Sequence, residues 1–480
     1  MTDDPGTAPP APRGWGPRVE TCVAGLPALW LLAPGTLDAG AVSGHPRGDV
    51  YGTLAVAEGA ARGVDPGLSM RADPTLTFLA PLVRAAGAPW VLECLLVLGV
   101  VAGAAVLHGF VRRVLPAPED AWARILSVAA GLAGPATVLA WGEGRPSGAQ
   151  PWALVLPALV VVARGGAGGV AVSVLAGALV GALGCGMIPG AALVLLASGL
   201  AVASGGGVAE GGGPPSAPGA VVRAASCLAS AVVVAHVVGW HPREPAWDLA
   251  RALAVPSRGP DPEFAAPGFV GVVAGALLVL ALLHRDGRPW AGAAALGLLL
   301  PGARLVGPSV LHAIPLLAVL GASCALRRVW PAGAGSAMVL LGTLLLAEGW
   351  KGAGGPLPIP TAPLAVPAAA RDLPVGRVLD LPLRTGAPGR AAWWRVHHGR
   401  PGAVEPDGTV AVPVEGRARA LMDPRGMGCR SPADLGFASV LARREGELPD
   451  VGPLVACLGP PTVDDGAVAR WDLAPTPSGP

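Results

Sequence analysis

Charge is scarce in this 480-residue sequence: Asp, Glu, Lys and Arg together make up 14% of it. A soluble globular domain carries about 25%, so a fully solvated surface is excluded for most of the chain. Lysine is almost missing, Lys351 being the single one, and the 34 basic residues are otherwise arginine. They are dispersed, and the formal net charge is only +2, which excludes a nucleic-acid-binding patch. Aromatic residues are thin, with one tyrosine (Tyr51) and five phenylalanines. No Gly-Lys-Ser/Thr follows the glycine-rich stretches 165–169 and 203–219, so neither is a phosphate loop. No CxxC or Cys/His spacing of the zinc-binding type occurs. Adjacent His397 and His398 cannot easily share one ion, and their pairing reads as a surface turn.

Apolar residues are abundant, at 52%, with a mean hydropathy of +0.56. They come in uncharged blocks of Leu, Val and Ala rather than in periodic stripes, as helices surrounded by lipid do. The 71 glycines and 53 prolines lie within and between these blocks, where transmembrane helices tolerate them. The Ala/Gly/Pro/Arg bias is that of a GC-rich bacterial genome. A helical crossing needs roughly 20 mostly apolar residues, which gives spans near 20–36, 89–111, 125–142, 150–163, 168–185 and 187–204. Five more lie near 221–240, 268–284, 289–304, 308–326 and 331–349. The first is the weakest, because its apolar core (Cys22 to Pro34) is brief, and a cleaved signal peptide is its alternative. The acidic, proline-rich start argues against that, because signal peptides open on a basic stretch.

Cytoplasmic loops retain positive charge. Alternate loops hold Arg13 and Arg18, then Arg112, Arg113 and Arg124, then Arg164, Arg223, Arg285 with Arg288, and Arg327 with Arg328. The expectation is therefore an α-helical polytopic membrane protein of about 11 transmembrane helices in a bacterial plasma (inner) membrane. Residues 1–19 form a cytoplasmic tail. Residues 20–349 form the membrane domain, with a large outer loop at 37–88. Residues 350–480 form a small extracytoplasmic α+β domain, because apolar residues there are short and alternating. Gly376–Leu383 and Thr409–Val414 read as strands, and Ser431–Glu445 as a helix capped by Ser431. Cys429 and Cys457 are the two cysteines of this segment and a disulfide candidate in an oxidising compartment.

Under this topology six polar residues lie toward the outer face: Glu93, Glu143, Arg145, His236, Arg304 and His312. Charges against a membrane are costly, so such placement marks a candidate cavity, although residues near helix ends also reach water cheaply. The outer loop adds a Gly48-Asp49 pair opening an apolar, helix-like stretch that a Gly63-Val-Asp-Pro turn ends. Asp49 reads as standing at the start of a short helix lying along the membrane surface, where an aspartate is also a good cap.

This arrangement resembles the GT-C superfamily of membrane glycosyltransferases. The likeness is carried by GDVYGTLAVAEGAARGVDP in the outer loop, by the Arg304–Leu317 stretch, and by GRVLDLPL and WWRVHHGRP near the C-terminus. The resemblance implies enzymes that use polyprenyl-phosphate-linked sugars. In them an acidic outer-loop residue deprotonates the acceptor hydroxyl or holds a divalent metal; Asp49 is the matching catalytic position. Arg145 and Arg304 would meet the phosphate leaving group, with Glu93 as a second carboxylate and Glu143, His236 and His312 around the substrate. The implied partners are the bilayer, a polyprenyl-phosphate sugar and an acceptor glycan, lipid or protein. The sequence departs from the pattern where Val50, not a second acid, follows Asp49, and where sugar-stacking aromatics are few. A noncatalytic scaffold with an envelope-facing domain, or a lipid or sugar transporter, is the alternative.

Overall fold

The computed structural model describes residues 16–44, 50–64, 79–134, 271–302, 313–352, 361–381, 388–403, 411–423, 430–444 and 450–473, with scattered positions between 137 and 237. The described part is mostly helical with a small sheet region. In chain order its elements begin with α1 (Pro17–Leu37), β1 (Ala41–Ser43), α2 (Val50–Arg62), α3 (Ala80–Ala86), α4 (Ala88–Val114) and α5 (Ala121–Ala133). The helices α6 (Val272–Leu282), α7 (Arg288–Gly302), α8 (Ile314–Val329) and α9 (Ala334–Gly352) follow. Then come β2 (Thr361–Pro363), β3 (Arg377–Leu381), α10 (Pro388–His398), α11 (Val412–Met422), β4 (Phe437–Arg443), α12 (Gly452–Leu458), β5 (Val463–Asp464) and β6 (Val468–Asp472). Two compact units result. One spans residues 1–31, 98–139 and 150–355, and the other 32–97, 140–149 and 356–480.

In the first unit α8 is the central helix, packed against α5, α6, α7 and α9. Its residues Ile314–Ser323 are buried all round, as a helix inside a bundle must be. Close approach is achieved with glycine: a Cβ at Gly321 would meet those of Ala281 on α6 and Trp290 on α7 at 2.9 and 3.0 Å. The outer flanks of the bundle are apolar as well, with Val101, Val279, Leu282, Leu340 and Leu344 exposed. Among the described residues two helices are long and apolar enough to cross a membrane, Pro17–Leu37 and Ala88–Arg112. Val272–Leu282 and Ala334–Glu348 are shorter apolar helices.

One end of this unit is polar. Arg124 donates from Nε and Nη2 to the two oxygens of Glu20, each at 2.7 Å, and His108 Nε2 meets Glu20 Oε2 at 2.8 Å. The Nη1 of Arg124 donates to the Leu115 and Ala117 carbonyls at 2.9 and 2.6 Å. All three side chains are buried, so every charge is matched where an unmatched one would be costly. Nearby, Arg327 pairs with Asp120 at 2.6 Å and Arg328 with Asp286 at 3.1 Å. These contacts gather the start of α1, the α4–α5 turn, the α6–α7 turn and the end of α8.

The second unit contains a four-stranded sheet of order β3-β4-β6-β5, parallel between β3 and β4 and antiparallel elsewhere. A parallel pair needs a long crossover, and α10 and α11 supply it. Leu379, Leu381, Val440, Ala442, Ala469 and Trp471 point to one face, where they pack on Val414, Ala418 and Leu421 of α11 and Leu454 of α12. Trp471 Nε1 donates to the Gly459 carbonyl at 2.8 Å.

Two sequence expectations are corrected here. Ser431 does cap a helical turn, its Oγ accepting from Ala433 N at 3.3 Å. That turn stops at Leu435, because Gly436 takes a left-handed φ of 80°, and Phe437–Arg443 becomes the central strand β4. Both of its faces are covered, so its sequence lacks the alternation of a half-exposed strand. Thr409–Val414 is the second case: its Val412-Pro413-Val414 portion begins α11, since proline suits a first helical turn. The strand expected at Gly376–Leu383 is present as β3.

Exchange of Glu20 for alanine leaves Arg124 buried without its carboxylate, a change that costs on the order of 3–5 kcal/mol. The expected outcome is a clear fall in the thermal unfolding midpoint of the purified chain in detergent.

Candidate functional site

The segment around residues 37–88 folds together with the C-terminal segment in the second unit. Strand β1 pairs antiparallel with β2, Ala41 opposite Pro363, Val42 opposite Ala362 and Ser43 opposite Thr361. Gly35 makes this possible, because a Cβ there would collide with Ser43. Glu93 reaches the same strand: Ser43 donates its backbone N–H to Glu93 Oε1 and its hydroxyl, at 3.2 Å, to Oε2. Both carboxylate oxygens are thereby engaged, and Glu93 is buried.

Helix α2 starts at Val50, the residue after Asp49. Ten of its 13 residues are buried within the protein. Small residues explain this, since Gly52, Ala55, Ala57, Gly59 and Ala61 let other helices approach on several sides. Helix α10 lies against it so closely that a Cβ at Gly389 would collide with Gly52 N. Beside this crossing the Arg390 guanidinium lies 5.3 Å above the Tyr51 ring, and Tyr51 donates its hydroxyl to the Pro363 carbonyl at 2.7 Å. At the other end of α2, Glu58 accepts from Ala88 N at 2.7 Å, fixing the start of α4, and pairs with Arg62. Arg84 Nε donates to the Ala61 carbonyl at 2.8 Å. The first turn of α2 therefore carries the Tyr51 ring with the Arg390 guanidinium of α10 beside it.

Of the catalytic and substrate-binding candidates named from the sequence, Glu93 is the one among the described residues, and it holds β1. Asp49, Glu143, Arg145, His236, Arg304 and His312 lie outside the described residues. Cys457 is disulfide-bonded, and its candidate partner Cys429 lies outside the described residues. His397 and His398 belong to the last turn of α10 rather than to a surface turn. Burial, then Arg62, hold His397 below its ordinary pKa, Glu58 opposing them. Burial, followed by the Arg395 and Arg400 guanidiniums, pushes His398 down to about 4. No group of three or more metal-ligating side chains occurs among the described residues. Sequence reading missed Tyr51 and Arg390 as a pair; the lone tyrosine was visible, but nothing in the sequence brings position 390 to it.

No family model matches the chain, and no curated protein matches it. Among solved structures the chain is similar to the oligosaccharyltransferase of Archaeoglobus fulgidus, crystallised with an acceptor peptide carrying the NVT sequon tethered through a disulfide bond. The TM-score is 0.46 and the identity 12%, over 89% of this chain and 69% of that one. The functional reading rests on the residues of this chain.

Two outcomes follow from this geometry. Gly389→Val overpacks the α2–α10 crossing, a class of change costing about 1–3 kcal/mol; limited proteolysis should then cut the 37–88 loop faster than in the parent chain. His398 binds a proton more weakly folded, at about 4, than at its ordinary 6.5, so between these values the unfolded state holds more protons and acid favours unfolding. The thermal midpoint should fall as pH drops from 6.5 to 4, and His398→Gln should flatten that arm.

Proposed function

We propose that the chain is a multi-pass membrane glycosyltransferase of the GT-C kind, moving a sugar from a polyprenyl phosphate to an acceptor at the outer membrane surface. The observation that carries this reading is the Arg390 guanidinium stacked 5.3 Å from Tyr51 in the helix turn that Asp49 precedes. It brings a phosphate-binding cation from near the C-terminus to the loop whose carboxylate the family resemblance assigns to catalysis. In the reaction the acceptor hydroxyl attacks the anomeric carbon while Asp49 takes its proton. The bond from that carbon to the phosphate oxygen breaks, and polyprenyl phosphate leaves. Arginine suits the growing charge because its N–H groups contact phosphate in parallel pairs. Arg390 joins Arg145 and Arg304 as candidates for that contact. A divalent metal held by Asp49 is the variant in which the carboxylate acts through an ion.

Membrane insertion has its own support. The 25-residue span Ala88–Arg112 is about 37 Å long at helical rise, enough for a hydrocarbon core of about 30 Å. Trp90 is exposed near its start and Arg112 near its end, the residue types that sit at membrane interfaces. Trp122 and Trp330 are likewise exposed beside the polar end of the first unit. That end gathers Arg18, Arg112, Arg124, Arg285, Arg288, Arg327 and Arg328, as a cytoplasmic face would. The reading is completed by about eleven crossings, a cytoplasmic N-terminus and an outer C-terminal domain in a bacterial plasma membrane. The engagement of both Glu93 oxygens by Ser43 favours the scaffold alternative at that one position, because it removes a second free carboxylate.

The test uses the full chain in lipid nanodiscs with a radiolabelled polyprenyl-phosphate hexose, following release of polyprenyl phosphate. Asp49→Asn should lower the rate about 10²–10⁴-fold, the range of a general base, with the unfolding midpoint unchanged. Arg390→Ala should lower kcat/KM as well. Absence of binding and turnover, together with indifference to Asp49→Asn, would remove the enzyme reading and leave the scaffold.

A further inference from the structure

The face of the C-terminal sheet opposite its apolar core carries buried polar residues among Val378, Leu441 and Val468. Strand register puts Asp380 on β3 and Ser439 and Arg443 on β4 on this side, away from the core residues Leu379, Leu381, Val440 and Ala442. All three are buried, and so is Arg395 of α10, whose guanidinium lies 3.8 Å from Asp380. The chain leaving α10 crosses the start of β3: Val378 N donates to the Pro401 carbonyl at 2.9 Å, and a Cβ at Gly402 would collide with Arg395.

Two donors at the end of α10 and one hydroxyl on the sheet have no partner. His398 Nδ1 accepts from Arg400 N at 3.0 Å, so the ring of a neutral His398 carries its proton on Nε2. That Nε2 is buried without a partner, as are Arg400 Nε and the Ser439 hydroxyl. Buried polar groups are normally satisfied, and a donor left alone costs about 1–3 kcal/mol. Water would offer as many hydrogens as lone pairs. At the end of α10, His398 Nε2 and Arg400 Nε are donors alone and call for a ligand made of acceptors, whereas the Ser439 hydroxyl and the unpartnered acceptor Asp380 Oδ2 belong to the sheet.

We propose that the end of α10 and residues 398–402 form a binding site for a small oxyanion of the carboxylate or phosphate class, held by His398 Nε2, Arg400 Nε and the Arg395 charge. The site is independent of the glycosyl-transfer reading and lies on other residues. Electrostatics agree with it. The guanidiniums of Arg395 and Arg400, with burial, hold His398 neutral, and the field that expels a proton attracts an anion. Opposing it are Asp380, close to Arg395, and the C-terminal end of α10, which carries roughly half a negative charge. Burial holds Asp380 above its ordinary pKa, Arg395 and Arg443 opposing this.

The experiment follows the histidine nitrogens by NMR in the full chain labelled with ¹⁵N-histidine, in detergent. His398→Gln identifies the signal among the eight histidines. Sulfate and acetate are titrated separately, as tetrahedral and planar probes that keep one charge state between pH 6 and 8. The expected result is a saturable shift of the His398 signal at pH 6 to 8 and, followed in sulfate from pH 7 down to 3, a rise of its titration midpoint by at least one pH unit. Which probe saturates first tells phosphate-class from carboxylate-class ligands. Arg400→Gln should weaken the response tenfold or more while the other histidine signals keep their positions, which shows that the fold is intact. An unsaturable response, no response, or one equally strong in Arg400→Gln overturns the site and leaves the transferase reading untouched.

Discussion

Three residue pairs between β1 and β2 join two parts of the chain more than 300 positions apart, and the second unit depends on them. The pairing fixes Ser43, and Ser43 in turn engages both oxygens of Glu93 on α4. The strand brings Pro363 to the Tyr51 hydroxyl, and the Gly52–Gly389 approach lays α10 along α2. Each contact is small. Together they convert a surface loop into a helix buried on most of its sides.

The bundle of the other unit obeys a different constraint. With apolar residues on its outside as well as its inside, burial alone does not tell its helices which way to face. Specificity comes from glycine at the crossings and from ion pairs at one end. Glu20, His108 and Arg124 form a closed set in which each buried polar group finds a partner, and Arg124 also satisfies carbonyls of the α4–α5 turn. Such a set contributes less to net stability than to uniqueness, since a shifted helix would strand a charge in an apolar layer.

Much of this was legible in the sequence. The apolar blocks located α1, α4, α6, α7, α8 and α9 to within a few residues, because a block that long has few other ways to hide its backbone. The arginine alternation anticipated that the α4–α5 turn, the α6–α7 turn and the end of α8 share one end. What failed were the segments where burial on both sides removes periodicity. Phe437–Arg443 carries apolar and polar residues on one strand because a sheet face can hold a polar layer under α10, and its helix-like pattern misled. Val412–Val414 was read as a strand from its valines, whereas Pro413 in a first helical turn decides otherwise. Of the candidate site, Gly48-Asp49 and Tyr51 singled out the 37–88 loop in the sequence. Arg390 was not, because a contact across 339 positions leaves no trace in local pattern.

That separation has a consequence in time. Tyr51 finds its acceptor only when Pro363 has been made, 312 residues later. At a synthesis rate of 5–20 residues per second that interval is roughly 15–60 s, far longer than a hairpin or helix needs to form. Throughout it, the early loop has its small-residue faces uncovered and its β1 edge unpaired. A chain stopped short of residue 361 never acquires that partner strand, so incomplete translation products differ from finished ones by an open strand edge, a feature that quality-control proteases can read.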